Sequence, residues 1–152
     1  MKIDNPYLFI AGCLCLLASI LHLAIIVGGE QWYLFFGAGR GFALLARDGS
    51  LYPTIVTSGI ALVLAIWSIY AFSGAKLIGK LPFIKPILII IALIFLLRGI
   101  LGIPLTYLID DPYLMELREK SIFMVISSLI SAFIGFCIVK GLRLRNIGQN
   151  AA

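Results

Sequence analysis

Four stretches of this chain are each long and apolar enough to cross the hydrocarbon core of a bilayer, and no other feature constrains the fold as much. A crossing helix needs about 20 consecutive apolar residues, because no water is present in the core to satisfy a backbone N–H or C=O. Between Asp4 and Glu30 only Asn5 and His22 are strongly polar, which gives a first span over about 7–28. No charge occurs between Asp48 and Lys76, which gives a second span over about 51–73. The third runs over about 83–108 and is interrupted by Arg98, and the fourth is the uncharged run over about 121–140. The expected fold is all-α: one domain over 1–152, an integral membrane antiparallel four-helix bundle.

Composition agrees with lipid as the solvent. The chain is 62% hydrophobic and 12% charged, whereas a soluble domain carries roughly a quarter charged residues. The formal charge of +5 does not imply a nucleic-acid partner. The basic residues stand in short runs at the ends of apolar segments rather than on one face, which is the pattern of loops facing anionic headgroups. The three cysteines form no CxxC pair, and Cys13 and Cys15 point to different sides of a helix, so buried reduced thiols are expected. Ile10-Ala11-Gly12-Cys13 has the look of a lipoprotein cleavage box, but the apolar run continues past the cysteine, as a membrane span does and a signal core does not.

Lysine and arginine set the orientation. One side carries Lys2, Lys76, Lys80, Lys85, Lys140, Arg143 and Arg145, opposed by Asp4. The other carries Arg40, Arg47, Arg118 and Lys120 among Glu30, Asp48, Asp110, Asp111, Glu116 and Glu119. Both termini are therefore expected in the cytoplasm. In the first outer loop, Trp32, Phe35, Phe36 and Phe42 make an apolar face and Gln31, Arg40 and Arg47 a polar one. This predicts a short interfacial helix or a re-entrant turn. In the second outer loop Asp111-Pro112 reads as an N-cap followed by proline at the first helical position, and the basic tail after Lys140 reads as a frayed end.

Helices in lipid mark their contact faces with small residues. The first span offers Gly12, Cys15, Ser19, His22 and Ile26 at helical steps, the second Thr54, Ser58, Ala61, Ala65 and Ser68, the fourth Ser127, Ser131 and Gly135. Most of these hydroxyls are expected to bond back to their own helix.

Arg98 and His22 are not explained by packing alone. A charge at mid-membrane costs about 2.5–3.5 kcal/mol on insertion scales. At about 1.5 Å per residue both lie roughly 20–25 Å from the cytoplasmic ends of their spans, in the outer third of the bilayer. A shared level predicts a polar, ligand-binding pocket under the outer loops, lined by His22, Arg98, Glu30, Arg40, Trp32, Tyr52, Thr54 and Ser58, with Glu30 paired to Arg98 or Arg40. The competing accounts are an Arg98 that snorkels to the headgroups or forms a structural ion pair, and a His22 hydrogen-bonded within the core. One histidine without companions does not make a metal site, and no cofactor is expected. Gly37-Ala38-Gly39-Arg40-Gly41 is not a nucleotide loop, because no strand precedes it. Its glycines let the backbone approach helix ends closely, and Arg40 among exposed amides offers a place for a lipid phosphate or carboxylate.

His22, Gly28-Gly29, Trp32-Tyr33 and Phe36-Gly37-Ala38-Gly39, with Arg98, resemble a set of small four-helix bacterial inner-membrane proteins without assigned activity. The resemblance implies a bacterial inner membrane and adds no chemistry. The chain lacks the acidic residue in the first helix of small multidrug exporters, the CxxC of quinone-linked thiol oxidoreductases, the two catalytic aspartates of membrane aspartyl peptidases and the paired histidines of a b-type haem bundle. Three readings stand. The first is an accessory protein that binds lipid or a membrane protein partner, a second copy of itself included. The second is a binder or carrier of a small amphipathic ligand with a lipid or quinone headgroup. The third, an enzyme acting on a lipid with His22 as base and Arg98 as anion clamp, lacks a nucleophile.

Overall fold

The structure, a computed structural model, describes residues 4–150, so Lys2 lies outside it. The described residues form six helices and no strand: α1 (Pro6–Phe35), α2 (Arg40–Arg47), α3 (Tyr52–Gly74), α4 (Ile84–Leu108), α5 (Pro112–Glu119) and α6 (Ser121–Asn150). Among them α1, α3, α4 and the Ser121–Arg145 part of α6 are long and apolar enough to cross a membrane.

Two helix starts have a local cause. The Asn5 side chain accepts the Leu8 N–H and Pro6 fills the first turn of α1. Asp111 caps α5 by accepting from the Tyr113 and Leu114 N–H groups, with Pro112 behind it, as its sequence predicts. Two ends differ from expectation. The helix of the first span continues past residue 28 to Phe35 but bends at Gly29, whose φ of 63° and ψ of −148° suit only glycine. The tail after Lys140, expected to fray, is helical through Asn150.

α1 lies along α3 and α4 along α6, with smaller contacts between α1 and α6 and between α3 and α4. The buried cluster joins Leu8, Ala11 and Cys15 of α1 to Leu88, Ile91 and Phe95 of α4 and to Ile134, Cys137 and Ile138 of α6. Leu17, Val27, Ile55, Leu62, Ile100 and Leu129 point outward and are more than half exposed. An apolar surface of this extent suits hydrocarbon and not water. Cys13, Cys15 and Cys137 are free thiols.

Close approach of α4 and α6 depends on two glycines. A Cβ on Gly99 would stand 2.7 Å from the backbone nitrogen of Ala132, and one on Gly135 would stand 2.7 Å from Leu96 Cγ. Between α1 and α3 two hydroxyls cross the interface: Ser19 Oγ donates to the Ala61 carbonyl at 2.7 Å and Ser68 Oγ to the Gly12 carbonyl at 2.8 Å. The expected bonding back to the parent helix therefore fails for these two. It holds on α6, where Ser127 donates to the Met124 carbonyl and Ser131 to that of Ser127. The packed face of α3 is Pro53, Thr57, Ala61, Leu64 and Ser68. Thr57 thus occupies the place expected for Ser58, which is exposed, while Thr54 is half-buried.

Candidate functional site

Arg98 lies in the middle of the apolar run of α4, on an exposed side chain. Nη2 approaches Ser127 Oγ of α6 at 3.4 Å, a long contact for a charged donor. Among the described residues no carboxylate comes within ion-pair distance of it. A guanidinium has five N–H donors, so most of its capacity is left for a group outside the chain. The space beside it is set by Gly102, where a Cβ would stand 2.5 Å from Arg98 Nη1 and 2.9 Å from Ser128 Oγ. That serine oxygen is buried and has no hydrogen-bond partner. A cation, an exposed flank and an unused hydroxyl thus converge where α4 and α6 face each other.

A lid of short elements lies next to this cluster. Tyr113 of α5 donates its hydroxyl to the Gly37 carbonyl at 3.0 Å, and its ring covers Gly39, where a Cβ would meet it at 2.8 Å. Gly37 and Gly39 have φ of 75° and 89°, and Gly37 packs on Phe123 and Leu117. The glycines of this loop serve close backbone approach, as their spacing predicts. The first amide of α2, the Arg40 N–H, donates to Glu116 Oε2 at 2.8 Å, and the Arg40 guanidinium reaches Glu119 at 3.9 Å. The amide end expected to offer a place for a lipid phosphate or carboxylate thus holds the chain's own Glu116 carboxylate. Partial burial pushes the Tyr113 phenol above its ordinary pKa, the Arg98 charge pulls it down and Glu116 pushes it up. Tyr113 thus stands in the electrostatic field of the Arg98 cluster. Arg118 anchors the other end of α5, bonding the Thr106 carbonyl, lying 3.7 Å from Asp110 and stacking over Tyr107 at 5.1 Å.

The remaining residues predicted for the pocket are dispersed. His22 Nδ1 lies 2.7 Å from the Ala18 carbonyl of its own helix. A carbonyl oxygen only accepts, so Nδ1 carries a proton and the core-histidine account fits. No hydrogen bond or ion pair joins His22 to Arg98 among the described residues, and their helices have different main neighbours. Glu30 is half-buried and forms an ion pair with neither Arg98 nor Arg40. Trp32 stacks on Phe36 at 5.6 Å and Tyr52 on Phe42 at 5.7 Å, both with exposed edges. Ser58 is exposed and Thr54 half-buried on α3, neither with a recorded partner at Arg98. Of the eight residues expected around the pocket, Arg98 and Arg40 have side-chain or backbone partners on α5 and α6, and none of the other six bonds to Arg98 among the described residues. Sequence reading missed Ser128, Gly102, Tyr113 and Glu116. The proximity of Tyr113 and Glu116 to residues 37–40 is a long-range contact with no local signal. Among the described residues no three His, Cys, Asp or Glu side chains group together.

No protein-family profile, characterised protein or solved structure matches this chain.

Proposed function

We propose that this chain is a multi-pass integral protein of a bacterial inner membrane that binds an anionic lipid headgroup at the outer leaflet, as an accessory protein without chemistry of its own. The four spans form an antiparallel bundle with both termini in the cytoplasm, and α2, whose apolar face packs under Tyr33 and Phe36, lies at the outer interface. One observation carries the reading: Arg98 is a cation in the middle of an apolar helix, and its one hydrogen bond is a long one to a serine. Lipid hydrocarbon offers no solvation for it, and a phosphate oxygen on the lipid side answers both its charge and its fork of donors. A second reading, a carrier of a small amphipathic ligand, is favoured by the buried, unpartnered Ser128 hydroxyl beside Gly102, which a ligand headgroup would satisfy. Either way, anionic phospholipid co-purifying with gently extracted protein is expected to fall in Arg98→Ala at unchanged yield. Equal phospholipid content with a lower yield would instead make Arg98 a structural residue.

A further inference from the structure

The end of the molecule that holds residues 4–5 and the α3–α4 connection carries a second arrangement of basic donors, away from Arg98 along α4. The connection is folded tightly: Ser73 Oγ donates to the Gly79 carbonyl at 2.8 Å and accepts the Leu81 N–H at 3.0 Å. Asn5 donates to the Gly141 carbonyl at 2.8 Å, and Lys76 Nζ meets Asp4 at 3.1 Å. These bonds occupy Asp4, Asn5, Ser73 and Lys76. They leave two clefts, of about 330 Å³ and about 640 Å³, that share Lys80 and Arg145.

The larger cleft runs from Asp4, Asn5 and Ser73 to Leu144, and the smaller is flanked by Lys85 with Pro82, Phe83 and Pro86. Among the described residues the one carboxylate lining either cleft is Asp4, and Lys76 already neutralises it. Lys80, Lys85 and Arg145 are left without a recorded carboxylate partner among the described residues. Arg145 lines both clefts, and its Nη1 is buried with no hydrogen-bond partner among the described residues. A buried guanidinium nitrogen without an acceptor is costly, and an anion within reach removes that cost. The rim supplies apolar contact as well, with Phe83 77% and Ile78 44% exposed beside the basic groups.

We infer that these clefts bind a phosphate group, with Arg145 as the central donor and Lys80 and Lys85 as flanking charges. Phosphate suits the set because it accepts from a planar fork and from point charges together. The group belongs either to an anionic phospholipid of the cytoplasmic leaflet, whose chains would run along Phe83, or to a soluble phosphate compound. This site is separate from Arg98 and does not rest on the outer-leaflet reading.

The test uses the full chain in detergent, in the Arg98→Ala background so that the outer cluster contributes nothing. Binding of a short-chain phosphatidylglycerol and, separately, of inorganic phosphate is titrated by native mass spectrometry and by ³¹P NMR. Arg145→Gln is compared with the parent, and Lys80→Gln/Lys85→Gln, both on exposed side chains, serves if Arg145→Gln does not fold. The expected result is roughly tenfold weaker binding of at least one probe in the variant, with an affinity that falls as salt rises. Loss confined to phosphatidylglycerol assigns the site to a lipid headgroup, and loss for both probes assigns it to phosphate compounds in general. Equal affinity of parent and variants for both probes, or no binding by the parent, overturns the inference.

Discussion

The Arg40 backbone N–H donates to Glu116 Oε2 at 2.8 Å across 76 residues of chain, so the first turn of α2 is capped by a side chain of α5. Gly39 precedes α2 and has no side chain to cap it. A carboxylate at a helix N-terminus also meets the favourable end of the helix dipole. Glu116→Ala should therefore free the Arg40 amide and loosen the first turn of α2. Amide exchange across α2 is expected to accelerate about fivefold or more, for a loss on the order of 1 kcal/mol. Exchange in the middle of α3 should not change. Unchanged exchange in α2 would mean that the cap contributes nothing.

Tyr113 gives a pH signature for the same lid. Its phenol pKa is raised, first by burial, so the neutral form is favoured in the folded lid. The stability that this adds is fully present below the ordinary tyrosine pKa of about 10 and is lost as pH rises through the raised value. The hydrogen bond to Gly37 should hold throughout the neutral range and weaken only in strong alkali. Because the Arg98 charge lowers this pKa, Arg98→Ala should move the Tyr113 phenolate absorbance to still higher pH. The signal is identified by its absence in Tyr113→Phe. No shift would place the Arg98 charge away from the lid.

Gly99 and Gly59 make a matched pair of opposite sign. A methyl on Gly99 meets the backbone of Ala132, which cannot move aside, while nothing lies within 4 Å of one on Gly59. Gly99→Ala should cost about 1–3 kcal/mol by forcing α4 off α6. Gly59→Ala should be neutral or stabilising by up to about 1 kcal/mol, since alanine favours helix. Thermal unfolding in detergent checks both, and equal melting temperatures would contradict the packing described for α4 and α6.

The two hydroxyls that bridge α1 and α3 should matter modestly. Interhelical hydrogen bonds in membranes average about 0.6 kcal/mol, so Ser19→Ala and Ser68→Ala should each lower stability by about that much. Their acceptors lie apart along the interface, Ala61 for one and Gly12 for the other, so the double variant should lose about the sum. No loss in either would mean that each serine finds an equal acceptor on its own helix.

The four long helices were legible because a bilayer-length apolar run leaves few alternatives, and their observed ends lie close to the expected ones except at Gly29 and after Lys140. Helix facing was only partly legible. In α1 the predicted stripe of Gly12, Cys15 and Ser19 is buried. In α3 the predicted Ser58 yields to Thr57, about 100° away around the helix. When both sides of a helix are apolar, small residues indicate a contact face but fix its phase poorly. The same ambiguity bears on the pocket. Equal depth placed His22 and Arg98 on one level, but side chains meet only if their helices also turn the right faces together. His22 bonds its own helix, and Arg98 turns toward Ser127 and the exposed flank. The lid over Gly37 and Gly39 was foreseen as a close backbone approach, but its partner, α5, was not, because nothing local in residues 112–119 points to residues 37–40.

The central claim is that the Arg98 guanidinium holds an anionic headgroup, and counting bound lipids tests it most directly. Native mass spectra of wild type, Arg98→Lys and Arg98→Ala, each extracted gently and incubated with matched anionic and zwitterionic phospholipids, would be compared at equal protein stability. The account predicts one more anionic lipid on wild type than on Arg98→Ala, intermediate retention in Arg98→Lys, which keeps the charge but loses the fork, and no such difference for the zwitterionic lipid. The same number of anionic lipids on all three proteins would contradict it, and would leave Arg98 as a side chain that snorkels without a site.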